Sequence, residues 1–149
     1  VFERYRDEVA NDRVLVVEGS LVHDEYRGGL GIRADRVSGL ETVRLARAVC
    51  IELQLREGWL RETGMTVIEA VGALKSLLEP AAGGTCEVRL RYRRQDAELL
   101  LRLGADWRIK PTDGFLRQAH RLLGADGLTI RFGPAVSESA GRQLDYASG

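Results

Sequence analysis

From Arg89 to Arg93 a cationic residue recurs at every second position. Arg89, Arg91 and Arg93 alternate with Val88, Leu90 and Tyr92. In a strand that period sends the guanidinium groups to one face and the apolar side chains to the other. Arg102, Arg108, Lys110 and Arg131 continue the outward series on later segments. A guanidinium is a planar fork that pairs bidentately with a carboxylate or a phosphate. The chemistry on offer is therefore recognition of an acidic partner. Arg91, Arg93, Arg108 and Arg117 are the candidate partner-binding residues. A second cluster, Tyr26 and Arg27 with Arg33 nearby, lies at the polar hairpin loop His23–Gly29. Each cluster has a plain reading: a solvated sheet face for the arginines, and packing across its own hairpin for Tyr26.

Catalytic constellations are missing. His23 and His120 stand alone, and there is no GxSxG, no GxxxxGK[ST] and no acidic pair with a histidine. No metal set or cofactor motif appears, and the chain is expected to lack polymerase or nuclease activity of its own. Cys50 and Cys86 have no CxxC spacing and fit buried thiols of a cytoplasmic protein. The 149 residues are 44% hydrophobic, enough for a packed core. No apolar run reaches the ~20 residues of a membrane span. Formal net charge is zero, but residues 1–84 carry −3 and residues 85–132 carry +4. That basic region permits a nucleic-acid or acidic-protein surface. The chain opens at Val1 without a Met, directly in helix-like sequence, which predicts a piece cut from a longer protein.

The elements that must hold these residues follow from periodicity. Phe2, Tyr5 and Val9 share one face of a short helix. Arg13–His23 and Leu30–Val37 form a hairpin, with a bulge or bend at Gly19. Ser38–Glu41 is read as a capping box opening a helix to about Ala48. Cys50–Leu55 alternates as a strand, Arg56–Gly64 is read as a loop, and Thr66–Glu69 caps a helix ending at Pro80. Ala81–Gly84 is read as a linker. Glu87–Arg94 and Ala97–Leu103 form two strands, with Leu99, Leu101 and Leu103 inward. Trp107–Lys110 reads as a short strand stopped by Pro111, with Trp107 taken as core. Thr112 or Asp113 caps a helix running to Gly124, and Leu128, Ile130 and Phe132 line a last strand. Helices segregated over a mainly antiparallel sheet make this an α+β chain, with both helices expected to consume the apolar face.

These motifs carry a resemblance. "VFERYRD", "RVLVVEGSL", "DEYRGGLGIRADRV" and "LETVRLARA" resemble the second half of the OB domain of the bacterial replicative DNA polymerase III alpha family. "VRLRYRRQDAELLLRLGADWRIKPTDGFLRQAHRLLGADGLTIRF" resembles the module that closes that polypeptide, and its Gly-Ala-Asp-Trp-Arg-Ile-Lys-Pro-Thr-Asp run is the most specific piece. The resemblance covers residues 1–132. It implies residues 1–48 as the C-terminal half of an OB-like domain and 49–132 as an α+β module binding the clamp-loader tau subunit; residues 133–149, small and polar, read instead as a mobile tail. The resemblance also implies contact with single-stranded DNA, with Tyr26 of the His23–Gly29 loop stacking on a base and Arg27, with Arg33 beside it, meeting a phosphate, weak here because the first OB strands are missing. In that family polymerase catalysis lies far upstream. An independent single-strand-binding module is the alternative. Gln143–Tyr146 faintly resembles a clamp-binding peptide.

Overall fold

The computed structural model describes residues 14–24, 26 and 28–134. The helix expected over Phe2, Tyr5 and Val9, the loop residue Arg27 and the tail with Gln143–Tyr146 lie outside the described residues.

The β-branched run Val14–Val17 leads into β1 (Leu15–Asp24), which pairs antiparallel with β2 (Gly29–Gly39). Their register shifts between Glu18 and Gly19, the bulge expected at that glycine. A Cβ on Gly19 would lie 2.1 Å from the Arg33 carbonyl oxygen, so this close approach requires a glycine. Leu21, Leu30 and Ile32 on this two-stranded sheet are exposed.

Helix α1 (Leu40–Arg47) begins without the expected capping box: its N-cap is Gly39, with no side-chain cap. Ser38 instead pairs with Val16 in the hairpin, and Glu41 accepts the Asp113 backbone N–H at 2.8 Å. A long-range partner has replaced the local one. Arg44, only 7% exposed, reaches the same place, donating to the Pro111 carbonyl at 3.2 Å and to Asp113 at 2.7 Å.

The second sheet has the order β5-β4-β3-β6. Its centre is β3 (Ala48–Arg56), buried from Cys50 to Leu53. It pairs parallel with β4 (Ala82–Arg93) and antiparallel with β6 (Leu128–Phe132). β5 (Glu98–Arg102) pairs antiparallel with β4. The parallel pair needs a crossover, supplied by α2 (Glu57–Thr63) and α3 (Val67–Leu78). Thr66 caps α3 with the full capping box, and Thr112 caps α4 (Asp113–Leu123). Ile51, Leu53, Val88, Leu74, Phe115 and Ala119 meet in one core with Ile109. The molecule is α+β, with four helices and two sheets among the described residues.

Four further expectations are corrected. Arg56–Gly64 is no loop: Glu57–Thr63 is helical, ended by Gly64 at φ 68°. Trp59 buries its ring there and donates to the Leu122 carbonyl at 2.9 Å, so tertiary burial organises a seven-residue helix too short to show a stripe. Ala81–Gly84 is no linker: β4 starts at Ala82, and Gly84 donates to the Arg108 carbonyl at 3.3 Å. Trp107–Lys110 is not a strand. Ala105–Trp107 is a 3-10 turn, and Ile109 alone bridges Ala82 and Cys86. Finally, the helices do not consume the apolar face: Leu99 and Leu101 are 58% and 49% exposed, and Phe132 is exposed past a bulge in the β3–β6 register.

Candidate partner-docking surfaces

The outward face of the second sheet is built by strict alternation. Glu87, Arg89, Arg91 and Arg93 point away from the core on β4, with Glu52 opposite Arg89 on β3 and Leu100 opposite Arg91 on β5. The result is an ion-pair lattice. Arg91 donates to both Glu52 oxygens, at 2.5 and 3.0 Å, and also reaches Glu98. Arg93 pairs with Glu98 at 3.3 Å. Glu87 accepts from Arg102 at 2.7 Å and from Arg89 at 2.9 Å. Those two hydrogen bonds hold the Glu87 carboxyl down at about 2. The Arg91 hydrogen bond likewise depresses Glu52, overriding the burial that opposes its charge. The four carboxylate-paired arginines of this face are thus largely neutralised from within.

The four arginines singled out for a partner do not form one patch. Arg91 and Arg93 lie in this lattice. Arg117 is exposed on α4, whose Phe115, Ala119 and Leu123 pack on the opposite face of the sheet. Arg108 is exposed beside Trp107 and has no ion pair among the described residues. Of the hairpin set, Tyr26 is fully exposed, Arg33 is exposed and pairs across β1 with Ser20, and Arg27 lies outside the described residues.

A feature that sequence periodicity missed lies on the helix side. Between α3 and the β4–β5 edge runs an open apolar trough with two lobes. One, of about 350 Å³, is walled by Leu55, Trp59, Leu60, Val67, Val71 and Tyr92. The other, of about 310 Å³, is walled by Val71, Leu74, Leu90, Leu101, Leu103 and Trp107. Val71 and Leu74 are common to both lobes. Trp107 is therefore half-buried in a groove wall rather than sealed in the core. Arg56 sits at one lobe and Lys75 at the other. The signal was present in the sequence: Val67 and Val71 on α3, with Leu99, Leu101 and Leu103 on one face of the β5 segment, exceed what two helices can cover.

The segment that positions Trp107 is locked from both sides. The Lys110 N–H donates to the Ala81 carbonyl at 2.8 Å, and a Cβ on Gly84 would come within 1.9 Å of the Ile109 oxygen. Pro111 is buried, and its carbonyl is held by Arg44. No group of three or more His, Cys, Asp or Glu among the described residues is placed to hold a metal ion. No helix among them is long and apolar enough to cross a membrane.

Known proteins match this chain along most of its length. Residues 73–124 match the family model described as DNA polymerase III subunit alpha, C-terminal domain. The chain is 30% identical over 130 residues to the DNA polymerase III subunit alpha of Escherichia coli strain K12, an alignment covering 87% of this chain and 11% of that protein. The same protein of Vibrio cholerae is also 30% identical over 130 residues, with the same coverage, and that of Haemophilus influenzae is 28% identical. The chain spans about a tenth of the length of these curated relatives. The resemblance read from its motifs stands: this chain is similar to the C-terminal region of the DNA polymerase III alpha subunit.

Proposed function

We propose that this chain is a noncatalytic C-terminal region of a replicative DNA polymerase alpha subunit, and that its second sheet and helices dock the clamp-loader tau subunit. The family resemblance supplies the partner. The observation that carries the reading is the lobe of the open apolar trough walled by Leu74, Leu101 and Trp107, three residues inside the stretch matched by the family model. Large exposed apolar surface rimmed by charge marks a protein contact. A half-buried indole beside an exposed Arg108 has the composition of an interface hot spot.

The contact is thus assigned to the trough, with Arg108 at its margin. Arg91 and Arg93 serve the ion lattice, and Arg117 lies away from the trough. Tau binding measured by calorimetry tests this. Val71→Glu should weaken it by about 2 kcal/mol or more. The double charge reversal of Arg91 and Arg93 should change salt dependence more than affinity. Full affinity in a folded Val71→Glu variant would move the contact elsewhere.

A second reading applies to the hairpin. The exposed Tyr26 at the loop tip, with Arg33 on β2, supports contact with single-stranded DNA. That binding is weak and salt-sensitive in this chain, because a two-stranded sheet offers only part of an OB face. Tight binding at physiological salt, abolished by Tyr26→Ala, would show the loop to be a full site.

A further inference from the structure

Strand β5 ends the second sheet, and among the described residues no strand pairs with its outer side. Sheet edges are normally blunted by lysine, proline or a bulge. β5 has no lysine, proline or bulge and carries charge only at its two ends: it is Glu98-Leu99-Leu100-Leu101-Arg102, it pairs with β4 without a register shift, and every residue in it is exposed. An apolar edge of this kind is a template for another strand.

The sequence of the edge selects the partner. Read backwards, the segment exchanges its acid for its base and keeps its leucines. We infer that β5 is a self-complementary interface, pairing antiparallel with β5 of a second copy of this chain about a two-fold axis at Leu100. Glu98 then faces Arg102 of the second copy, and Arg102 faces Glu98 of the second copy. Leu99 meets Leu101 twice, and Leu100 meets itself. Opposite charges and apolar pairs directly across a ladder are the favourable cross-strand combinations. A parallel pairing in the same register would set like charges side by side. The two charged groups retain capacity: the Glu98 side chain is 44% exposed, and the Arg102 side chain is 65% exposed and uses only Nη2 toward Glu87. An isologous contact of this type closes at two copies and leaves no propagating edge at β5. The two-fold axis stands perpendicular to the sheet, so Leu99 and Leu101 of both copies form one apolar strip on the helix side.

Sedimentation equilibrium over a concentration series of the full chain tests the pairing, with circular dichroism to confirm folding. The wild type should show a monomer–dimer equilibrium, and Leu100→Lys should weaken association at least tenfold. Glu98→Arg and Arg102→Glu should each weaken self-association. An equimolar mixture of those two variants should restore it, because their edges complement each other. Leu100→Thr, which suits a strand, replaces Leu100→Lys if the lysine variant unfolds. A monomer at every concentration up to about millimolar, association insensitive to Leu100, or a mixture no tighter than its components would each overturn the pairing.

Discussion

Several single residues here have roles that only their long-range partners reveal. Gly84 is one: its backbone touches the Ile109 carbonyl, so Gly84→Ala must push Ile109 out of the core. It should cost about 1–3 kcal/mol, the range for overpacking, seen as a lower thermal midpoint. A change within about half a kcal/mol would mean that the Ile109 segment moves away from β4 freely. Arg44 is another. Its guanidinium joins α1 to Pro111 and Asp113, and the hydrogen bond from Arg44 holds the Asp113 carboxyl below its ordinary range. Arg44→Met should cost about 1–3 kcal/mol. Asp113 is half-exposed and can be rehydrated, which keeps the cost below that of an orphaned buried charge. Burial pushes the Cys86 thiol up to about 11 and raises Cys50 as well. Both thiols should resist alkylation at pH 8 until denaturant is added. Rapid modification of either thiol in the folded chain would contradict this burial.

Pairing at the element level explains which parts of the fold were legible. The hairpin, its bulge at Gly19, the capping box at Thr66 and the Thr112 cap are local, and their residue types announce them. Helix α2 and the start of β4 were hidden because their reasons are distant: Trp59 answers to Leu122, and Gly84 to Ile109. The same holds for the basic face. Alternation placed Arg89, Arg91 and Arg93 correctly on one side. The neutralisation of Arg91 depends on Glu52 and Glu98, which strand register brings in from 39 and 7 residues away, while Arg89 pairs with Glu87 on its own strand. The lattice makes a pH prediction. Glu87 and Glu52 have depressed pKa values in the folded chain, so their stabilisation is fully present above the unfolded value of about 4.3. It is lost as pH falls toward the folded value of about 2 for Glu87. Denaturation midpoints should therefore drop between about pH 4.3 and 2, and Glu87→Gln should flatten that drop. An identical acid profile in Glu87→Gln would remove the lattice from the account.

At the scale of the whole molecule, apolar surface is left exposed on the hairpin face with Leu21, Leu30 and Ile32 and in the trough beside α3 and β5. A chain spanning about a tenth of its relatives' length can leave such surfaces for its neighbours. The proposed division gives the hairpin to nucleic acid and the trough to the clamp loader. Amide hydrogen exchange of the chain, with and without saturating tau, tests that division most directly. The account predicts slowed exchange in residues 67–78 and 98–108, with residues 15–39 unchanged. Protection confined to the hairpin, or absent from both the α3 and β5 segments, would contradict it.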